Sequence, residues 1–282
     1  MSLPSKTKTW LETTLQAKVR DLTPVAGGCI NETYIVTLSH GKRLFLKYHS
    51  SAAMFDAEAL GLTAINQQVP RFAPEPIAHS DKCLIMTCLT PAAPNRRYWQ
   101  ALGEKLAQLH AAEQPYFGFK CDNFCGETPQ PNAPTDDGFA FFAEHRLMFQ
   151  AKRAFDTGKL DRAVLQQVEK LASQLERWIP EQPPSLIHGD LWSGNAMNTS
   201  EGAKIFDPAA HYGWAEADLA MTTLFGEFDP VFYEAYQTTR NINAVWRTRA
   251  DLYNAYHVLN HLNLFGGHYG NSLRRILRQY LG

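Results

Sequence analysis

The chain has 282 residues, is 45% hydrophobic, and sets 27 Lys and Arg against 28 Asp and Glu for a net charge of -1. That length suits one large domain or two lobes around a cleft, and the near-neutral charge argues against a nucleic-acid groove or a polybasic membrane patch. With no apolar run near the ~18 residues of a membrane span, no apolar signal core near the N-terminus and five scattered cysteines, the expectation is a cytoplasmic protein with neither nucleic acid nor membrane as partner.

In chain order, residues 3–20 predict an amphipathic helix with Trp10, Leu11, Leu15 and Val19 as its apolar positions. Thr33 to Leu38 and Arg43 to Tyr48 are β-rich runs around a Ser-His-Gly turn. Ser51 to Gln67 reads as a helix, and strands follow near Ile77 and at Cys83 to Met86. After "TPAAP" the pattern turns helical, with segments at Tyr98 to His110, Phe139 to Phe155, Leu160 to Trp178 and Arg247 to Phe265. Residues 111–138 carry the Pro- and Gly-rich "CGETPQPNAPTDDG" and predict a long functional or mobile loop. The boundary falls near residues 87–94, so the expected domains are 1–89, a strand-rich nucleotide lobe with one embedded helix, and 90–282, a helical catalytic lobe.

The chemistry concentrates in "SLIHGDLWSGNAMNTSEGAKIFDPA", residues 185–209. An apolar strand, "SLI", delivers Asp190 into a polar loop; Asn195 follows five residues on, and a second apolar strand end, "KIF", delivers Asp207. Two hard oxygen ligands on adjacent loops, Asn195 and Asp207, suit Mg2+, while a separate carboxylate ahead of them suits a base that accepts a hydroxyl proton. Asp-x4-Asn with a later metal-binding Asp is the kinase constellation. Here His-Gly-Asp stands for His-Arg-Asp, and Phe-Asp-Pro for Asp-Phe-Gly.

Three further pieces fit the same reading. Lys47 ends an apolar strand run, as a lysine that pairs the α- and β-phosphates would. Glu58 lies in the next helix with the better reach to it than Asp56. Gly27 and Gly28 sit at a turn some twenty residues earlier, where backbone N–H groups could approach phosphates, although no full Gly-x-Gly-x-x-Gly is present. His257 and His261 stand four apart on a helix but lack the intervening Glu of a metalloprotease motif, and read as ordinary histidines.

At these residues the sequence resembles the fructosamine kinase (ketosamine-3-kinase) family, whose members are similar to aminoglycoside phosphotransferases and, more distantly, protein kinases. The resemblance spans nearly the whole chain: "GGCINE", "FLKYH" with "MFDAEALGL", "CLIMTCL", "CGETPQPN", "HGDLWSGN" with "IFDPAAHYGWAEADLAM", and "YHVLNHLNLFGGHY". It implies an α+β, bilobal protein-kinase-like fold with a small β-rich N-lobe and a larger helical C-lobe. It also implies ATP and Mg2+ as cofactors and phosphorylation of the sugar 3-hydroxyl of ketosamines, small or protein-bound, leading to deglycation and protein repair. The site it implies has Asp190 as base and Asn195 and Asp207 as metal ligands. Lys47 and Glu58 position phosphate, Thr87 and Leu89 form the adenine hinge with Met86 behind them, and Trp192 stacks on substrate. Trp214 and Glu216 are further candidates on the substrate side, and Asp218 ties down the catalytic loop. The family's Glu-His in the hinge is replaced by Thr87-Cys88, and Glu227 follows Gly226 where relatives tend to repeat Gly.

Cys29, among the N–H donors of the expected phosphate loop, is a candidate redox cysteine, with a monomer or a redox-dependent homodimer as the expected state. The competing reading is another small-molecule kinase, for aminoglycosides, choline or homoserine. A binding module that had abandoned catalysis would be expected to lack one of Lys47, Asp190, Asn195 or Asp207, and all four are present.

Overall fold

A computed structural model describes residues 3–25, 31–50 and 55–282. The N-terminal part holds α1 (Ser5–Leu15), β1 (Val19–Pro24), β2 (Glu32–Leu38), β3 (Arg43–Tyr48), α2 (Phe55–Gln68), β4 (Pro76–Ser80) and β5 (Cys83–Thr87). The strands form one antiparallel sheet in the order β1-β2-β3-β5-β4. The helix expected over residues 3–20 is therefore shorter: it stops at a left-handed Gln16, and Val19 begins an edge strand paired to Leu38. Within that region Leu11 is the fully buried residue of the helix, and Trp10 and Leu15 pack against the same core while staying partly exposed.

Side-chain alternation decides what the sheet does. Val36, Leu38, Leu44, Leu46, Tyr48, Cys83 and Ile85 share one core with Leu11. The intervening Phe45, Leu84 and Met86 pack on the opposite side, in the core shared with α2 and the rest of the chain. Lys47 alternates with Leu46 and Tyr48, so the period of two turns it to this second side. Burying each Leu or Ile of these two faces contributes roughly 1.5–3 kcal/mol, which makes a one-residue register slip prohibitive.

The remainder is mainly helical: α3 (Arg96–Ala111), the hairpin β6 (Asn123–Cys125) and β7 (Thr128–Gln130), α4 (Gly138–Phe141), α5 (Phe149–Asp156), α6 (Arg162–Ala172), α7 (Ala215–Leu224), α8 (Pro230–Arg240), α9 (Ala250–Phe265) and α10 (Tyr269–Leu281). Strands β8 (Ser185–Ile187), β9 (Ala196–Thr199), β10 (Gly202–Ile205) and β11 (His211–Gly213) form two small ladders, β8 with β11 and β9 with β10. A sheet-rich N-terminal region followed by a helical C-terminal part is the α+β, protein-kinase-like class expected.

Several helices differ in extent or type from expectation; the one expected over 247–265 begins at Ala250, after a 3-10 stretch, Ala244–Arg249. The helix expected over 160–178 ends at Ala172, and a single 3-10 turn, Leu175–Arg177, follows. The helix over 139–155 contains a π-helical stretch, Phe142–Met148. That stretch carries Arg146, 1% exposed, whose guanidinium donates to Pro131 O and Asn132 Oδ1 and lies 4.5 Å from the Phe141 ring centre. Wide turns of this kind recur where a helix must aim a side chain at a particular target.

Candidate active site

The sheet and the small ladders bring distant residues into contact. Lys47 Nζ lies 2.5 Å from Glu58 Oε1 and 2.6 Å from Asp207 Oδ1, with the Lys47 side chain 7% exposed. Asp56, the rival acid on α2, turns instead to His79 Nδ1 at 2.6 Å. Burial acts to lower the Lys47 pKa, but the charges of Asp207 and Glu58 outweigh it and raise it, so the ammonium is held charged.

The β9–β10 hairpin brings the backbones of Asn195 and Phe206, the residue before Asp207, together. Ala196 pairs with Ile205 at its open end, and the Phe206 N–H donates to Asn195 O at 3.0 Å. The residues flanking the hairpin therefore leave from the same edge. Asp207 adopts φ +57°, a left-handed conformation unusual for a side-chain-bearing residue and frequent where strain serves a site.

Strand β8 feeds Asp190 into the loop from the other side. Asn195 Nδ2 donates to the Asp190 carbonyl at 2.9 Å and to its Oδ2 at 3.3 Å. The loop backbone is held by Asp218, 1% exposed, whose two carboxylate oxygens accept from the His188 and Gly189 N–H groups at 2.6 and 2.8 Å. Gly189 has φ +80°, and a Cβ there would stand 2.2 Å from Ala209 O. A side chain at the middle position of His-Gly-Asp would clash here, because the irregular segment following Asp207 packs directly on it. Burial first, then the nearby charges of Asp207 and Asp218, push the Asp190 carboxyl up to about 7.

Trp192 is 38% exposed and its ring folds over Gly194, where a Cβ would meet it at 2.3 Å. The ring meets Phe225 edge-on at 6.1 Å, and Phe225 lies 4.7 Å from His261. Met86 is buried in the main core beside Leu84. At the strand end, the Thr87 N–H donates to Glu75 O at 3.0 Å and its hydroxyl accepts from the Glu75 N–H at 2.9 Å; Leu89 lies just beyond, half-buried.

The chain as a whole has counterparts among known proteins. The family model described as fructosamine kinase matches residues 3–282. The chain belongs to the fructosamine kinase family. It is 39% identical over 276 residues to a "Probable ketoamine kinase" of Synechocystis sp., covering 94% of this chain and 91% of that one. It is 37% identical over 287 residues to the chloroplastic protein-ribulosamine 3-kinase of Arabidopsis thaliana, covering 96% and 86%. A crystal structure assigned to a fructosamine-3-kinase from Thermobifida fusca superposes with a TM-score of 0.90 at 31% identity, covering 96% of this chain and 97% of that one. Fructosamine kinases are ATP-dependent phosphotransferases, and this chain is an enzyme of that class.

Two residues expected on the substrate side of this fructosamine kinase family member make contacts with the protein interior. Trp214 is 3% exposed and packs edge-on against Phe117 at 5.7 Å and Phe139 at 5.2 Å, among core residues. Glu216 is engaged elsewhere: Arg249 holds its Oε1 at 2.5 Å and its Oε2 at 2.8 Å, and Tyr253 donates to Oε2, so the carboxylate joins α7 to α9. Both follow a strand that enters the core, and sequence spacing alone does not reveal which side of it they take. Gly27, Gly28 and Cys29 lie outside the described residues.

The loop over 111–138 is neither long nor loose. Its β6–β7 hairpin sends Asn123 Nδ2 to Ala210 O at 2.8 Å and Gln130 Nε2 to Ala209 O at 3.1 Å, bracing the segment that follows Asp207. Tyr256 of α9 donates to Gln130 Oε1 at 2.7 Å. Sequence reasoning passed over these buried amides, although amides among prolines are the one visible signal, since a buried carboxamide needs partners.

Among the described residues no helix is long and apolar enough to cross a membrane.

Proposed function

We propose that this enzyme transfers the γ-phosphoryl group of ATP to the sugar 3-hydroxyl of a ketosamine, an adduct of an amine with fructose or ribulose. The observation that carries the reading is the Lys47 ammonium bridging Glu58 and Asp207 beside the Asp190–Asn195 loop. It is a positive, buried anchor next to a carboxylate of raised pKa, as phosphoryl transfer from a polyanion requires. The relatives named ketoamine kinase and protein-ribulosamine 3-kinase supply the substrate class.

In this reading Lys47 orients the phosphates, with Glu58 keeping its side chain extended toward the cleft. Asp190 accepts the hydroxyl proton as the substrate oxygen bonds to phosphorus and the bond to the departing ADP oxygen breaks. The hard-oxygen donor set of Asn195 and Asp207, joined at the hairpin edge, fits Mg2+, which would neutralise phosphate charge when bound. Thr87 and Leu89 present backbone to adenine with Met86 behind it, and residues 1–89 and 90–282 serve as nucleotide and catalytic lobes. Trp192 offers an apolar face to the sugar and a cation–π surface to a charged amine. Once C3 carries phosphate, the 1,2-enaminol can expel it, and hydrolysis of the resulting imine frees the amine; this is deglycation.

The test is ADP release with fructoselysine, ribuloselysine, kanamycin and choline across a Mg2+ titration. Turnover with the two ketosamines alone is expected. Turnover with kanamycin or choline alone would overturn the assignment in favour of another small-molecule kinase.

A further inference from the structure

Behind Asp190 lie a thiol and an imidazole that phosphoryl transfer does not use. Asp190 Oδ2 faces Asn195, while Oδ1 stands 3.9 Å from His257 Nδ1. Cys125, 2% exposed at the end of β6, completes the group: one ligand atom each from Cys125, Asp190 and His257 lie within 4.8 Å of one another. It is the one such group among the described residues. His257 is 4% exposed, and its Nδ1 has no hydrogen-bond partner among the described residues. Leaving a buried ring nitrogen unpaired costs roughly 1–3 kcal/mol, and this one is aimed at a thiol and a carboxylate. His261, the other half of the i, i+4 pair, turns away: its Nδ1 bonds to His257 O at 2.8 Å.

We propose that Cys125 Sγ, the Asp190 carboxylate and His257 Nδ1 form an inhibitory site for a borderline-soft divalent cation, of which Zn2+ is the type. The donor set is one sulfur, one oxygen and one nitrogen, which suits Zn2+ and is foreign to Mg2+. Bonds of about 2.0–2.3 Å in a tetrahedral site put ligand atoms roughly 3.3–3.8 Å apart, so the three groups need to close by about an ångström. Asp190 can supply that movement, because its Oδ2 is held only by the 3.3 Å contact to Asn195. Binding deprotonates Cys125, the proton leaving to solvent as the S–Zn bond forms. A thiolate, a carboxylate and a neutral imidazole around Zn2+ sum to zero charge, which removes most of the penalty for burying the ion. The Asp190 side chain is 21% exposed, so the cation enters from the catalytic side, and a fourth position stays open to water. Once ligated, Asp190 can no longer take the hydroxyl proton; this consequence rests on the reading of Asp190 as the base.

The experiment is a Zn2+ titration of the reduced full-length protein against a chromophoric chelator in Mg2+ buffer, alongside Cys125→Ala, His257→Leu and the surface control Cys121→Ala. One Zn2+ per chain is expected, weakened at least tenfold in the first two variants and unchanged in the control. Inhibition of ADP release, scored against each variant's own zinc-free rate, should shift by the same factor. Co2+ in place of Zn2+ should give a thiolate charge-transfer band in wild type that Cys125→Ala removes, a readout that needs no activity. No bound Zn2+ in wild type, or equal affinity in Cys125→Ala, overturns the site and leaves the kinase reading untouched. An active Asp190→Asn would instead overturn the base assignment, with the metal titration still standing or falling on its own.

Discussion

Lys47 Nζ stands 2.6 Å from Asp207 Oδ1, joining residues 160 positions apart across the two parts of the chain. Glu58 holds the same ammonium at 2.5 Å, so three elements, β3, α2 and the loop after β10, share one buried charge. Lys47→Met is expected to lower kcat by about 10²–10³-fold, the scale of losing one preorganised electrostatic group. Lys47→Arg should not rescue it, because the bulkier planar guanidinium cannot take a site that leaves the residue 5% exposed. Steady-state ADP release measures both; wild-type kcat in Lys47→Met would remove the lysine from the mechanism.

Asp190, the proposed base, also makes stability depend on pH. Its carboxyl titrates near 3.8 in the unfolded chain and about 7 in the folded one, mainly through burial. Folding therefore takes up a proton in that window. The group's stabilising contribution is full at low pH and is lost as pH rises through about 7, at up to about 1.4 kcal/mol per pH unit. Asp190→Asn abolishes this loss. Without nucleotide or Mg2+, its Tm should exceed wild type by a margin that grows from pH 4 to pH 7, while kcat falls at least about 10²-fold. A margin that stays level over this range would contradict the burial argument.

Gly189→Ala tests the backbone of the catalytic loop. The added Cβ meets Ala209 O at 2.2 Å in a left-handed conformation, so a loss of about 2 kcal/mol or more is expected, seen as a lower midpoint in urea unfolding. An unchanged midpoint would mean that the two segments are not packed as described.

The two tryptophans should separate cleanly. Trp192→Ala is expected to raise KM for the ketosamine about tenfold with KM for ATP unchanged, the scale of one stacking and cation–π contact. Trp214→Ala should instead cost about 3–5 kcal/mol of stability through the cavity it leaves. Thermal melts and the two KM values distinguish them; a Trp192→Ala enzyme with wild-type KM would reassign that ring to packing.

Much of this protein could be read along the chain. The apolar strand ends before Asp190 and Asp207, the Asp-x4-Asn spacing and the strand lysine are local patterns, set by side-chain alternation and by ligand chemistry at short separations. So are the change from strands to helices after residue 90 and the preference for Glu58 over Asp56. Only the tertiary structure decided which side of a strand each later residue took. Trp214 and Glu216, adjacent to the catalytic segment in sequence, turned into the core and to Arg249, because packing against α9 outweighs proximity along the chain. The amides of the β6–β7 hairpin and His257 Nδ1, which has no hydrogen-bond partner among the described residues, gained their meaning from carbonyls and a carboxylate on distant elements. A buried polar atom is defined by the partner it finds, and no spacing rule encodes a partner brought in by another element.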